Sequence, residues 1–369
     1  MTKIFSTSVI IICLIMLGSA SESKAQGFVV GKYGDDFMSV GGGSRALAMG
    51  SAHTAAVNDV TAGYWNPAAL AFVKGIEGVY MHSERFSGIV GYDYGAVALP
   101  MRKSDGVLAL SLFRQGVDGI KNTLDAWNEA NGQPLPNPTD RFSEFSAYDL
   151  GFLLSYAQPV NETSSWGTSL KIINSSIGPF AEAWGFSLDI GIYENTGNHS
   201  WGIMVQNATL MYKYWQVNRS TLEKLESFGD LIPEGQNEKI LPVAKMGYAY
   251  RFNVSDFDIV TAFDTDLRFD NRQTYYMNWG KMSFEPHFGL EVGYKDVVFL
   301  RGGLTDVYID DNQDYTTSAT MGAGISFRGI TIDYGLASVT GISSDLGFTH
   351  RISLKFALDR FNQLPSSEN

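Results

Sequence analysis

From about residue 76 to residue 358 the chain is written in segments of eight to twelve residues whose polarity alternates with period two. No stretch of the mature sequence is apolar for long enough to form a helical membrane span. Strict alternation puts neighbouring side chains on opposite faces of a strand, so each segment has one apolar and one polar face. Phe288, Leu290, Val292 and Tyr294 alternate with His287, Gly289, Glu291, Gly293 and Lys295. Ala244, Met246, Tyr248, Tyr250 and Phe252 alternate with Lys245, Gly247, Ala249 and Arg251, and the same holds for Phe348, Ile352, Leu354, Phe356 and Leu358 against Thr349, Arg351, Ser353 and Lys355. A soluble sandwich also alternates. Charged residues, however, are only 18% of the chain and aromatic residues 13%, against about 25% charged in ordinary soluble domains. The aromatics gather toward segment ends, at Tyr92, Tyr94, Trp166, Trp184, Trp201, Tyr248, Tyr250 and Phe348, as in the girdles of a membrane barrel. Without a helical span, a closed barrel is the remaining structure that satisfies every backbone group in lipid.

The segments number about fourteen, the first at 76–86 and the last at 347–358, and an even count suits a bacterial barrel. Short turns near Arg102-Lys103-Ser104, Asn161-Glu162, Asn195-Thr196-Gly197, Ser255, Asp296 and Arg328 alternate with connections that include the long stretches 116–146, 209–240 and 268–283. The expected fold is therefore all-β, a transmembrane antiparallel β-barrel of about 14 strands with short turns at the periplasmic end. Within 209–240, residues 222–228 have helical composition.

Residues 1–25 carry Lys3, an apolar run over residues 9–17, and small residues at Ser23 and Ala25, the features of an export signal. The run is shorter than the roughly 18 to 20 residues that span a bilayer. Cys13, the only cysteine, lies within it, so a processed chain has no thiol for disulfides, thiolate metal sites or a cysteine nucleophile. The expected organisation is signal peptide 1–25, an N-terminal plug 26–75, the barrel 76–359 and a periplasmic tail 360–369. The formal charge of −12 argues against nucleic acid, which calls for a basic surface.

Residues 41–71 read GGGSRALAMGSAHTAAVNDVTAGYWNPAALA and do not alternate. Small residues dominate, letting backbone pack on backbone. Trp65-Asn66-Pro67 supplies a turn, and Pro67 suits the first position of a short helix. No strand leads into the glycines, and neither GxGxxG nor GxxxxGK[ST] occurs, which argues against a phosphate loop. The pattern GxxRAxxMGxAxxAxxxDxxxxYWNPAxLA resembles the N-terminal segment of the PorV/PorQ family of outer-membrane proteins, whose barrels resemble the FadL-type transporters of long-chain fatty acids and other hydrophobic molecules. The resemblance is specific over about thirty residues and architectural elsewhere. It implies a hatch inside the lumen, with Gly43, Arg45, Gly50, Asp59, Trp65, Asn66 and Pro67 as its marked residues. Arg45, the only charge in this stretch before Asp59, needs carboxylate partners if enclosed, and a latch to the wall is the favoured role.

Alternation assigns Asp149, Lys171, Asp189, Lys245, Arg251, Asp264, Glu291, Arg301, Asp333, Arg351 and Lys355 to the lumen, a mixture expected to pair internally. Asp306, Asp310, Asp311 and Asp314 lack the glycine and terminal glutamate of an EF-hand loop and read as a solvated acidic loop, with calcium as the alternative. The five histidines form no HxH or HxxxH pair, and there is no GxSxG elbow. No catalytic, cofactor-binding or metal-ligating set is expected, and the chain does not read as an enzyme.

The resemblance implies an accessory role in type IX secretion, binding or escorting exported cargo at the cell surface in company with other secretion-system proteins. The alternative is a FadL-like channel for hydrophobic small molecules. Met211, Tyr212, Tyr214 and Trp215 are expected in an outer loop as a partner-binding surface, or else as part of the upper aromatic girdle. Outer-membrane lipid surrounds the barrel in either case. N-terminal sequencing of the exported protein is expected to begin at or near Gln26; retention of residues before Ala20 would remove the signal peptide.

Overall fold

The computed structural model describes residues 30–33, 37–101, 104–128, 130–232, 235, 237–269, 277–279, 282–309, 315–337 and 348–358. The expected signal peptide 1–25, the tail 360–369 and Asp310, Asp311 and Asp314 lie outside the described residues; Asp306 lies on a strand.

Fourteen wall strands follow in order: β1 (Glu77–Arg85), β2 (Val90–Pro100), β3 (Val107–Asn122), β4 (Ser143–Pro159), β5 (Ser164–Ile177), β6 (Ala181–Thr196), β7 (His199–Gln206 and Met211–Val217), β8 (Asn237–Ile240 and Val243–Val254), β9 (Phe257–Arg268), β10 (Met282–Tyr294), β11 (Val298–Ile309), β12 (Tyr315–Phe327), β13 (Ile330–Ala337) and β14 (Thr349–Ala357). Each pairs antiparallel with its neighbour, and β14 pairs back onto β1 with Phe356 opposite Gly78 and His350 opposite Glu84. The ladder therefore closes and leaves no sheet edge to lipid. The fourteen strands and the closed antiparallel wall are those expected from the alternation.

Strands β7 and β8 are each one wall position interrupted midway. β6 pairs with both parts of β7, and the parts of β7 pair in turn with the two parts of β8. At the break Asn207 and Leu210 have φ of 53° and 59°. Asn207 turns its side chain inward to accept from Lys171 Nζ at 3.1 Å and Ser187 Oγ at 2.9 Å, while its amide donates to Asp189 Oδ1 at 2.7 Å. A wall carboxylate thus takes the Asn207 N–H that the break removes from the ladder.

Three expectations are corrected here. Met211, Tyr212, Tyr214 and Trp215 are not in a loop but on the second part of β7. Met211 is buried, while Tyr212 and Tyr214 face outward at 37% and 49% exposure, which is girdle geometry. Tyr92 and Tyr94 are not girdle residues: both are fully buried and point into the lumen beside Phe113. The long connection after β3 is correspondingly shorter than 116–146, because β3 reaches Asn122 and β4 begins at Ser143. The helix expected within 222–228 is present as Arg219–Ser227. There Lys224 Nζ lies 2.5 Å from Asp125 of the neighbouring connection.

Outward rows are apolar where the alternation put lipid: Leu290 is 45% exposed, Leu300 64%, and Ile332 56%. The inward neighbours Glu291, Arg301 and Asp333 are buried. In a bilayer-folding titration Ile332→Arg is expected to cost about 2 to 4 kcal/mol near the midplane, and Thr331→Arg, on the lumen face, close to nothing. The reverse ranking would move this strand's register by one residue.

Candidate functional site

Before β1, Val30–Tyr33 form a short strand beside the first part of β8, and residues 37–72 form a compact segment that is not strand-like. It contains a 3-10 turn at Phe37–Val40, a short helix α1 (Ser44–Ala48), a helix α2 (Ala62–Trp65) and a 3-10 turn at Pro67–Phe72. Gly43 and Gly50, with φ of 93° and 63°, bracket α1 in backbone conformations that favour glycine. Trp65 Nε1 donates to Gly42 O at 2.8 Å, and Tyr64 OH to Met38 O at 2.6 Å, tying the two ends of the segment together.

Asn66 is extended and caps the turn that Pro67 opens, its Oδ1 accepting from Ala68 N at 3.2 Å. Its Nδ2 donates to Thr54 O at 3.3 Å and to Ile192 O of β6 at 3.1 Å. The wall is hollowed to receive this motif. A Cβ on Gly191 would lie 2.2 Å from Asn66 Oδ1, one on Gly202 2.6 Å from Asn66 Nδ2, and one on Gly167 2.4 Å from the Pro67 carbonyl carbon. On the other side of the lumen a Cβ on Gly303 would lie 2.2 Å from Gly50 N. These wall glycines are site residues that sequence reading missed. Their signal was present as glycine on the lumen phase of strands, where close backbone approach is one of the few reasons to place it.

The segment is held differently on its two sides. Toward β2–β5 the contact is apolar: Met38, Tyr64 and Trp65 belong to one buried cluster with Tyr92, Tyr94, Phe113, Leu153 and Ile173, and the Tyr64 and Phe113 rings are 5.2 Å apart. Toward β9–β14 it is charged. Arg45 meets Glu291 in a bidentate pair, Nε to Oε2 at 2.7 Å and Nη2 to Oε1 at 2.9 Å, and donates from Nη1 to Asn58 Oδ1 at 2.9 Å. Glu291 Oε2 also accepts from Arg301 Nε at 2.5 Å, and Arg301 Nη1 reaches Asp333 Oδ1 at 2.7 Å. Asp59 accepts from Lys355 Nζ at 2.7 Å and from Thr61 N and Oγ1. Asp264 accepts from the backbone amides of His53 and Thr54 at 2.8 and 2.6 Å.

Burial, the largest influence on Asp59, favours its neutral form. Lys355 and Arg45 together with the Thr61 bond outweigh it and hold the carboxyl below the usual range. Burial, reinforced by Arg45, pulls His53 down to about 3, so the imidazole is neutral at physiological pH and packs edge-on to Trp65 with centroids 5.6 Å apart.

Below α1, at the short-turn end, opens a cavity of about 580 Å³ lined by Arg45, Asp59, Glu291, Arg301, Asp333 and Lys355 among others. Asp266, Glu285 and His287 converge elsewhere in the lumen. Lys245 occupies the first carboxylate at 2.5 Å and Arg268 the second at 2.6 Å, so the group is an ion-pair cluster and a poor metal cage. Glu291→Leu would take from Arg45 its carboxylate partner and leave Arg301 paired with Asp333 alone.

No family model and no curated protein matches the sequence. Among solved structures, the Pseudomonas putida toluene transporter TodX aligns at 12% identity over 89% of this chain and 98% of its own, with a TM-score of 0.50. The CymD monoaromatic hydrocarbon channel aligns at 12% identity over 86% and 98%, also with a TM-score of 0.50. A Pseudomonas aeruginosa FadL homologue aligns at 14% identity with a TM-score of 0.46. At this identity the likeness concerns the fold. The chain shares with TodX and CymD the fold of a closed fourteen-stranded antiparallel barrel with an N-terminal helical segment. The matched structures are of transport proteins, not enzymes.

Gly191→Val is expected to force the Asn-Pro turn off the wall. Protease accessibility of residues 41–71 in proteoliposomes, with the barrel itself still resistant, is the measurement; unchanged protection would mean that the motif is not seated on β6.

Proposed function

We propose that the protein is a hatch-gated outer-membrane channel for hydrophobic small molecules, in which residues 41–71 plug the lumen and displacement of this segment opens it. The observation that carries the reading is the asymmetric seat of the segment. On one side it rests on Tyr92, Tyr94, Phe113, Leu153 and Ile173, an aromatic and aliphatic wall face that a displaced hatch would expose to a passing apolar molecule. On the other, Arg45–Glu291 and Asp59–Lys355 tether it. The fold shared with a toluene transporter and a monoaromatic hydrocarbon channel supports cargo of that chemical kind. A barrel of fourteen strands is too wide for its own side chains to fill, so removing the plug opens an aqueous path.

A second reading, an accessory barrel of type IX secretion in the manner of PorV/PorQ, is favoured by the pattern over residues 41–71 and by the ion-paired cavity, which offers no apolar pocket at the short-turn end. In this reading Tyr212, Tyr214 and the adjoining connection would meet protein partners.

The test is planar-bilayer conductance together with uptake of a labelled monoaromatic or long-chain fatty acid into proteoliposomes. Deleting residues 41–71 is expected to leave a barrel that inserts and conducts ions continuously, and Arg45→Ala to give brief openings with hydrophobic uptake raised. A deletion that folds and conducts no more than the full chain would put the plug elsewhere. Intact conductance behaviour without any hydrophobic uptake would favour the secretion reading.

A further inference from the structure

The outward faces of β4–β13 through the middle of the wall carry no charge among the described residues. On β9–β12 the run is Phe257, Ile259, Phe263 and Leu267, then Phe288, Leu290 and Val292, then Leu300 and Leu304, then Met321 and Ile325. Across β14, β1, β2 and β3 this belt breaks. His82, Asp93 and Arg114 lie side by side in the ladder, each on the outward phase, since Met81, Tyr92, Tyr94 and Phe113 beside them are buried in the lumen. The three are flanked in the same row by Ile352 of β14, 56% exposed, and by Leu150 of β4.

The contacts within the group converge on Asp93. Its Oδ1 accepts from Tyr80 OH at 2.8 Å and meets His82 Nδ1 at 2.8 Å, and its Oδ2 is 3.8 Å from Arg114. Arg114 is also 3.7 Å from Asp118. Glu84, 4.0 Å from His82, is two-thirds exposed, and His350, opposite Glu84 in register, is held by Tyr334 OH at 2.6 Å.

Apolar residues bound the group above and below. Leu112 and Leu354 lie on the short-turn side, and at the other end the β1–β2 turn carries exposed Phe86 and Ile89, the latter 65% exposed. A tip so apolar belongs at the bilayer interface rather than in water, which puts the cluster beneath it, facing acyl chains. Hydrocarbon offers these side chains no partner. Beside the cluster the surface is recessed, because outward-facing Gly91 and Gly95 flank Asp93 along β2 and a Cβ on Gly91 would find nothing within 4 Å.

We infer that this face, from His350 across His82 and Asp93 to Arg114, is the contact through which two copies of the barrel associate side by side in the membrane. The occupant follows from the composition. Three carboxylates at 84, 93 and 118 make the patch unattractive to anionic lipid headgroups. With Arg114, two histidines and two tyrosine hydroxyls present as well, the patch carries both donors and acceptors. Under a two-fold axis such a surface is self-complementary: Arg114 of one copy can meet Glu84 of the other, and the reverse contact forms by symmetry. Small residues that allow close approach, joined by polar groups that pair across the contact, are what membrane-embedded protein interfaces use in place of a hydrophobic driving force. The inference stands independently of the channel reading, because it uses only the outside of the wall.

The experiment uses the full chain, exported and purified into lipid nanodiscs. Mass photometry is expected to show dimers in discs wide enough for two barrels. Gly91→Cys, introduced into a processed chain that has no other thiol, is expected to give a covalent dimer with a short bis-maleimide, whereas Ile325→Cys on the opposite wall gives none. Adding Glu84→Gln and Arg114→Leu to Gly91→Cys should reduce the crosslinked fraction at least fivefold while heat-modifiable migration, the mark of an intact barrel, is kept. If the paired substitutions prevent folding, Glu84→Gln alone carries the test, with an expected loss of at least twofold. A protein that is monomeric in wide discs, crosslinking at position 325 equal to that at 91, or a folded Glu84→Gln variant with an unchanged crosslinked fraction would overturn the assignment.

Discussion

Every backbone N–H and C=O that faces hydrocarbon must be paired within the protein, and in this chain closure of β14 onto β1 is what satisfies the last of them. The rest follows from that constraint. A closed wall of fourteen strands has a fixed girth, set by strand number and stagger. That girth leaves a lumen its own side chains do not fill, and the N-terminal segment occupies it. Where the ladder is interrupted, between the two parts of β7, the Asn207 N–H is taken up by Asp189 and the Leu188 N–H by Thr209 Oγ1, while Lys171 and Ser187 fix the Asn207 side chain. The buried Lys171–Asp189 pair at 3.2 Å is thus part of the wall's repair.

Filling the lumen imposes opposite demands on the two halves of the wall. Where the segment turns aromatic and aliphatic residues outward, at Met38, Tyr64 and Trp65, the wall must be apolar on its inner face, and Tyr92, Tyr94, Phe113 and Leu153 make it so. Where it turns backbone outward, the wall must be hollow, and glycines at 167, 191, 202 and 303 supply the room. Where it carries charge, the wall must return the opposite charge. Arg45 with Glu291, shared in turn with Arg301 and Asp333, forms an alternating chain of four ions, in which each buried charge has a partner and the desolvation cost is offset.

The alternation exposed the barrel in the sequence because lipid enforces it over most of the outer face for eight to twelve residues at a time. What it hid lies where a second influence acts on a face. Tyr92 and Tyr94 look like girdle aromatics because an apolar residue in a membrane strand normally faces lipid; the hatch inverts the rule for the strands it touches. Met211 to Trp215 look like a loop because four residues with irregular backbone precede them, although the pairing of β6 continues past the break. Arg45 was legible as a residue in need of a carboxylate, yet which carboxylate it takes depends on how α1 is seated in the lumen, a relation with a sequence separation of 246 residues. The glycines of the wall were legible only as composition, since no local pattern distinguishes a mould from a weak strand.

The difference between the two seats also decides how the segment can move. Apolar contact is lost gradually with separation and is replaced at little cost by any other apolar surface, including that of a small hydrophobic molecule. An ion pair in a confined space is lost all at once, leaving two charges that need water or new partners. Arg45 and Asp59 stand at the edge of the cavity at the short-turn end, where water is at hand, so their side is the one that can be resolvated when it opens. The aromatic face has no such access and opens only to something that wets it. In the proposed channel, a segment seated in this way would stay pinned on its ionic side and yield on its apolar side when an apolar molecule takes its place, keeping ions out while that molecule passes.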